Sequence, residues 1–442
     1  METKQPELTL RRIFIFWVPL AATWLMMSTE GPFLSAIIAR LAEPKYNLAA
    51  YGVAFAFALI IESPIIMIMS ASTKLVRNGE AYRKLRNFTH LLNGLITVAM
   101  LICIFPPVFH KIAYDMIGLP PPVAELTHWA FVVLLPWPGA IGFRRFYQGI
   151  MIRNNRTRLV AYGTVVRLVT MTLTALGLYF FSALPGAVIG AAALSAGVTL
   201  EALASRVMAH SIVNRLMAEL RNPGTISVLP DLSYRQIARF YYPLALTPII
   251  AMGTHPLVTF FMGQGRFAIE SLAVYPVIHS LVFIFRSMGL SFMEVVITLL
   301  GEENEGRIPL RNFALIVGGV ITAMLTLIAF TPLNELWFHH ISGLSRELTA
   351  FARTPTRLFV LMPALSVLMS MQRGTLVNNG HNTPISWATV LEVGSIVAIL
   401  ILTIHYLDWV GAVAAVTAIV LGRVFANAYL ALPYFRAMGA KG

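Results

Sequence analysis

The chain has 442 residues, 57% of them apolar and only 12% charged, and carries a formal net charge of +13. That is about half the charged share of a soluble domain. A soluble protein of this length would need two or three domains, and no stretch is polar enough to cover them.

The apolar runs read as twelve spans of bilayer length. In chain order they cover roughly 13–39, 48–73, 85–108, 120–149, 156–182 and 185–212, then 236–263, 270–298, 310–333, 347–377, 382–407 and 409–434. The first is too long for a signal peptide and lacks a small-residue cleavage site, so it reads as a retained helix. Cys103 stands alone inside a span, which excludes a disulfide framework. The only linker-like stretch is 217–233, with Arg221-Asn222-Pro223-Gly224 and Pro230-Asp231. The expected organisation is therefore an N-terminal six-helix lobe (1–216), a cytoplasmic linker (217–233) and a C-terminal six-helix lobe (234–442).

The second half rewrites the first. Phe16-Trp17-Val18-Pro19-Leu20-Ala21-Ala22-Thr23 returns 224 residues later as Phe240-Tyr241-Tyr242-Pro243-Leu244-Ala245-Leu246-Thr247. Pro32 falls on Pro256, Tyr51 on Tyr275 and Ser63 on Ser287. One inserted residue later the offset is 225, and Arg86-Asn87-Phe88 matches Arg311-Asn312-Phe313, with Pro138 on Pro363, Gly149 on Gly374 and Gly186 on Gly411. A hydrophobic unit written twice is a transporter signature. Six spans per half give both halves the same orientation, so the expected fold is an all-α polytopic membrane protein whose lobes are related by a pseudo-two-fold axis along the membrane normal.

Lys and Arg orient it. Lys4, Arg11 and Arg12, the loop with Lys74, Arg77, Arg83, Lys84 and Arg86, and Arg153, Arg156 and Arg158 fall on one side, with the linker arginines, Arg307, Arg311, Arg436 and Lys441. The other side holds only Arg40, Lys45, Lys111, Arg266, Arg346 and Arg353. The positive-inside rule puts both termini in the cytoplasm, with the plasma (inner) membrane as the expected location. The net charge is mostly this girdle facing anionic headgroups, and no nucleic acid is needed to explain it.

Certain residues carry a family resemblance. They are Phe16 to Leu20, Glu30, Ala49-Ala50-Tyr51-Gly52, Tyr242 to Leu246, Gln148-Gly149 with Arg153-Asn154-Asn155-Arg156-Thr157, and Arg373-Gly374 leading to Gly380-His381-Asn382-Thr383-Pro384. The last two segments resemble the end of the fourth helix of multidrug and toxin extrusion (MATE) transporters and its repeat. The whole chain resembles the multidrug/oligosaccharidyl-lipid/polysaccharide (MOP) exporter superfamily. The opening of both lobes is most similar to the progressive ankylosis group, exporters associated with pyrophosphate, citrate and nucleotides. The resemblance implies a MATE-like fold and alternating access. One departure stands out: many MATE transporters use a first-helix Asp for cation coupling, whereas Asp115, Asp231 and Asp408 all fall near or outside the expected membrane surface. Glu30 is the nearest substitute.

Charges at helix centres cost about 2.5–3.5 kcal/mol each on insertion scales, so each needs a reason. The candidates are Glu30, Glu62, Arg144, Arg145, Arg167, Arg286, Glu294, Arg357, Arg373 and Glu392, while Glu201 and Arg423, late in their helices, read as snorkelling. Arg286, Arg373, Arg145 and Arg144 are the expected anion-binding residues, the last three as vestibule guanidiniums or headgroup contacts. Glu62, Glu30 and Arg286 are expected in gating or ion coupling. Glu62 aligns with Arg286 and Arg167 with Glu392, so equivalent positions carry opposite charges. For Glu62 and Arg286 this suggests a pair across the lobe interface; for Arg167 and Glu392, structural ion pairs inside each lobe. Pro32 and Pro256 are the expected hinges. His255 and His279 read either as pH sensors or as ordinary hydrogen-bonded histidines.

No His-Glu-x-x-His, paired-Asp or Walker motif is present, so no metal, cofactor or self-contained ATP hydrolysis is expected, and the chain does not read as an enzyme. The leading reading is a secondary exporter of a small anionic metabolite such as an organic acid, pyrophosphate or nucleotide, with or without a coupling ion. A MATE-type cation- or proton-coupled drug antiporter is the alternative, favoured by Glu30 and Glu62 with Trp17, Trp24, Phe55 and Phe57. A lipid-linked glycan flippase comes third, because such flippases commonly carry about two further helices.

Overall fold

The computed structural model describes residues 8–221 and 232–439; residues 222–231, most of the expected linker, lie outside the described residues. Twelve helices among the described residues are long and apolar enough to cross a membrane. They are α1 Leu10–Ile38, α2 Pro44–Leu75, α3 Gly79–Ile104, α4 Pro121–Arg153, α5 Thr157–Phe181, α6 Gly186–Met208, α7 Tyr234–Met262, α8 Ala268–Leu299, α9 Arg307–Phe330, α10 Arg346–Asn378, α11 Thr383–Tyr406 and α12 Gly411–Gly439. Helix α3 begins at Gly79 rather than 85 because the Asn78 side chain accepts a hydrogen bond from the Ala81 amide and caps it. A linker helix, His210–Arg221, occupies the first residues expected to be an irregular connection. Its Glu219 carboxylate accepts from the Gly79 amide at 3.2 Å, tying it to the start of α3.

The breaks within helices follow the duplication. Helix α1 is interrupted at Thr29 and α7 at Gly253, between segments Leu10–Ser28 and Glu30–Ile38 and between Tyr234–Met252 and Thr254–Met262. Each break lies just before Pro32 or Pro256, whose ring cannot donate and crowds the carbonyl four residues back, on Ser28 or Met252. Helices α4 and α10 each break one turn before their second segment, where Pro136 and Pro138, or Pro363, take over. The left-handed residues also recur at the repeat offset: Glu43 and Phe267 (φ 49° and 52°), Gly118 and Gly343 (74° and 73°), Asn155 and Gly380 (58° and 77°). So do the side chains that start α6 and α12. Asn47 Oδ1 accepts from the Ala187 amide and Ser271 Oγ from the Ala412 amide, both at 2.9 Å.

The described chain divides into two compact units. The N-unit is Met26–Ile249; the C-unit joins the residues up to Leu25 to those from Ile250 onward. The contact boundaries therefore differ from the expected lobe boundaries at α1 and α7, each of which starts in one unit and finishes in the other. Aromatic anchors account for this. In the C-unit, Trp17 Nε1 donates to the Met288 carbonyl at 3.3 Å, and its ring meets Phe313 edge-on at 5.5 Å. In the N-unit, Tyr241 Oη donates to the Pro64 carbonyl at 2.6 Å, and its ring meets Phe88 edge-on at 5.5 Å. All three residues of one anchor map onto the other at the repeat offsets.

Gly149 and Gly374 do the same work in both units. A Cβ at Gly149 would stand 2.6 Å from Ser72 Cβ on α2; one at Gly374 would stand 2.7 Å from Val296 Cβ and 2.9 Å from the Met293 carbonyl on α8. Helix contact here requires glycine. Gly149→Leu and Gly374→Leu are each expected to lower stability by about 1–3 kcal/mol through overpacking. Gly319→Leu, on α9 where nothing lies within 4 Å, is expected to leave the thermal melt in detergent unchanged.

Candidate functional site

Each unit holds a cluster of buried charges in the middle of its helices. In the N-unit, five helices contribute. Arg144 Nη1 of α4 donates to Glu201 Oε2 of α6 at 2.5 Å, and Gln148 Nε2 donates to Glu201 Oε1 at 3.1 Å. Thr164 Oγ1 of α5 donates to the same oxygen at 3.4 Å. Arg167 Nη2 donates to Glu30 Oε2 of α1, while its Nη1 lies 3.8 Å from Glu201 Oε2. Glu62 of α2 is buried and feels Arg145, Arg144 and Arg167. Three carboxylates thus meet three guanidiniums, which is how intramembrane charges are tolerated.

The C-unit cluster is built differently. Arg423 Nη2 of α12 pairs with Glu392 Oε1 of α11 at 2.9 Å. The other Arg423 terminal nitrogen rests 2.8 Å from Met369 Sδ, a weak acceptor. Arg373 Nη2 of α10 donates to Thr389 Oγ1 at 3.0 Å. Arg286 of α8 makes no hydrogen bond or ion pair with any described residue, and its Nε is enclosed without an acceptor. The charges acting on it are Arg423, Glu392 and Arg373, with the Tyr275 phenol beside them. One carboxylate, Glu392, therefore acts among three guanidiniums, Arg286, Arg373 and Arg423. Glu294, on the second segment of α8, is also buried.

Set against the expectations, the geometry distributes these residues as follows. Arg144 does not line a vestibule: it is 2% exposed and held by Glu201. Arg145 is half-buried beside Glu62, and Arg373 is half-buried against Thr389. Glu30 is engaged by Arg167, and Glu392 by Arg423. For Glu62 and Arg286, the opposite charges acting on each come from its own unit, Arg145, Arg144 and Arg167 in one case and Glu392 in the other. Pro32 and Pro256 lie in the first turn of the second segments of α1 and α7.

Glu201 and Arg423 correct the snorkelling expectation. Glu201 is fully buried and is the hub of the N-unit network; Arg423 is the partner of Glu392. A signal was present in the sequence. Gly197, Glu201 and Ser205 share one face of α6, and Arg423 and Asn427 share one face of α12, small or polar neighbours that mark a packed face rather than a lipid-facing one. Among the described residues no three His, Cys, Asp or Glu side chains gather as a metal site. Glu201→Gln is expected to destabilise the protein by about 3–5 kcal/mol, by leaving Arg144 and Arg167 short of counter-charge. Thermal unfolding in detergent measures it, and a loss below about 1 kcal/mol would deny Glu201 the hub role.

No protein-family model matches the chain, and no curated protein matches its sequence. Solved structures do match its fold. A MOP superfamily transporter from Pyrococcus furiosus superposes with a TM-score of 0.76 at 14% identity, covering 98% of this chain and 97% of that one. A multidrug resistance MATE family transporter in an outward-facing conformation gives 0.72 at 15% identity, with 98% and 97% covered. A eukaryotic MATE transporter gives 0.72 at 16% identity, with 98% and 100% covered. With twelve apolar helices, the repeat and near-complete coverage in agreement, this multi-pass membrane protein has a MATE-like fold.

Proposed function

We propose that the protein is a secondary active transporter that exports a small multivalent anion, such as an organic acid, pyrophosphate or a nucleotide, by alternating access. The membrane is the plasma (inner) membrane, with both termini cytoplasmic. The observation that carries the reading is Arg286, a guanidinium without an acceptor, in a cluster where Glu392 is the single carboxylate acting on it alongside two further arginines. A planar fork with free donors binds carboxylate or phosphate bidentately, and the arginine excess gives the anion a net attraction. Arg373 is the second contact. Arg145 belongs to the same class but stands beside Glu62, which weakens its claim. The absence of a Walker loop in the sequence points to a gradient or exchange as the energy source. The Pyrococcus furiosus transporter of the same fold is described as having a binding pocket of reverse polarity that suggests a different function. That supports a fold tolerant of pockets of more than one sign.

The second reading, a MATE-type organic-cation antiporter, has one observation in its favour: the buried Glu62 Oε2 has no hydrogen-bond partner. Glu30 Oε1 is likewise buried without a hydrogen-bond partner, although its Oε2 is bonded to Arg167. A thermal-shift screen of citrate, pyrophosphate, nucleotides and cationic dyes separates the two. A ligand at a hundred times its dissociation constant stabilises by about 2.7 kcal/mol. Citrate or pyrophosphate is expected to raise the melting temperature. Arg286→Gln is expected to weaken that binding by roughly ten- to a hundred-fold, the worth of a charged hydrogen bond. Stabilisation by the dyes alone would overturn the anion reading in favour of the cation one.

A further inference from the structure

His255 and His279 sit on consecutive helices, α7 and α8, and are adjacent in the C-unit. Their rings meet edge-to-face with centroids 4.7 Å apart. His255 opens the second segment of α7, just after the break at Gly253, and is exposed; His279 is half-buried on α8. Neither ring makes a hydrogen bond with any described residue. His279 shares its face of α8 with Tyr275 four residues before it, at 5.9 Å between ring centroids, and with Arg286 seven residues after it. Arg286 acts electrostatically on both imidazoles. The equivalent residues of the first repeat are Gly31 and Phe55, so the pair exists only in the unit that carries the arginine excess.

We propose that His255 and His279 form a proton-binding site linked to the anion site at Arg286, so that the anion and one proton are taken up together. This rests on the anion-transport reading above. The groups facing the pair are Tyr275 and Arg286 on α8 and, around Arg286, Arg373 on α10, Glu392 on α11 and Arg423 on α12. His405, at the end of α11, meets Phe261 on the same α7 segment as His255. Desolvation is the first cost of a proton on the pair; the other ring and Arg286 add to it, since like charges repel more strongly away from bulk water. A proton from water is therefore costly on the pair while the site is empty. An anion on Arg286 cancels the local excess and favours protonation; by reciprocity, a protonated pair holds the anion more tightly. The sign follows: anion affinity grows as pH falls and declines as it rises. A transporter built this way moves proton and anion in the same direction. Two imidazoles without a third ligand do not make a metal site among the described residues.

The test is calorimetric titration of the purified protein with citrate at several pH values between 6 and 8, in two buffers of different ionisation enthalpy. Wild type, His255→Gln, and the His255→Gln/His279→Gln pair are compared, each checked for an intact melt. The protons that citrate itself exchanges are common to all three and cancel in the comparison. Wild type is expected to take up about one more proton per citrate than the double substitution. Its affinity is expected to fall more steeply with rising pH, by up to about a further tenfold per pH unit. His255→Gln alone, on the exposed ring, is expected to reduce the linkage and keeps the test meaningful should the double substitution unfold the protein. Citrate binding with the same pH dependence and proton count in all three proteins would overturn the proton link while leaving the anion site standing. No binding of citrate by wild type, with cationic dyes bound instead, would overturn both.

Discussion

A charge inside a bilayer-spanning helix needs a counter-charge, a hydrogen-bond partner or a water-filled cavity, and that constraint organises this molecule. In the N-unit it is met by enclosure. Glu201 gathers Arg144, Arg167, Gln148 and Thr164, Arg167 reaches on to Glu30, and helices α1, α4, α5 and α6 are bound through one carboxylate and its neighbours. Such networks contribute little net stability compared with a well-packed apolar core, yet removing one member is severe. Their gain is specificity of packing. In the C-unit the same constraint is met only in part. Glu392 answers Arg423, Arg373 settles for a hydroxyl, and Arg286 is left without an acceptor. That unanswered guanidinium is the basis of the anion site proposed above.

The two repeats show what duplication preserves and what it releases. Helix breaks, left-handed residues, the glycines at the α2–α4 and α8–α10 contacts and the side chains starting α6 and α12 recur at the repeat offsets. These are backbone devices, and the geometry of six packed helices demands them twice. Charges are not so bound. Glu62 becomes Arg286, Gln148 becomes Arg373 and Arg167 becomes Glu392, so each unit solves its own electrostatics.

The elements that were legible in the sequence are those set by local chemistry. Apolar run length marked the twelve spans, Pro32 and Pro256 marked the breaks in α1 and α7, and the doubled pattern marked the six-helix unit. What was hidden depends on tertiary proximity. Nothing local says that Arg144 faces Glu201 across α4 and α6, or that the charges acting on Arg286 are Arg423, Glu392 and Arg373. Position along a helix misled for Glu201 and Arg423, because nearness to a helix end says less than the small and polar neighbours on the same face. The linker helix was missed for a similar reason: its polar, amphipathic pattern lacks the apolar length that defines a span.

The exchanged half-helices make synthesis order a structural variable. The segment of α1 that ends near Leu25 is made well before its partners in the C-unit, the Met288 carbonyl and the Phe313 ring, which lie more than half of this sequence further on. Until then its inward face has only lipid or insertion machinery for company. The N-unit, conversely, has to wait for Tyr241 before the Pro64 carbonyl meets its donor. Neither repeat holds all of its own parts, so half a gene would encode an unfinished body with one empty groove and one unplaced segment. Two such halves brought together as separate chains would have to trade those segments to assemble, much as domain-swapped subunits do.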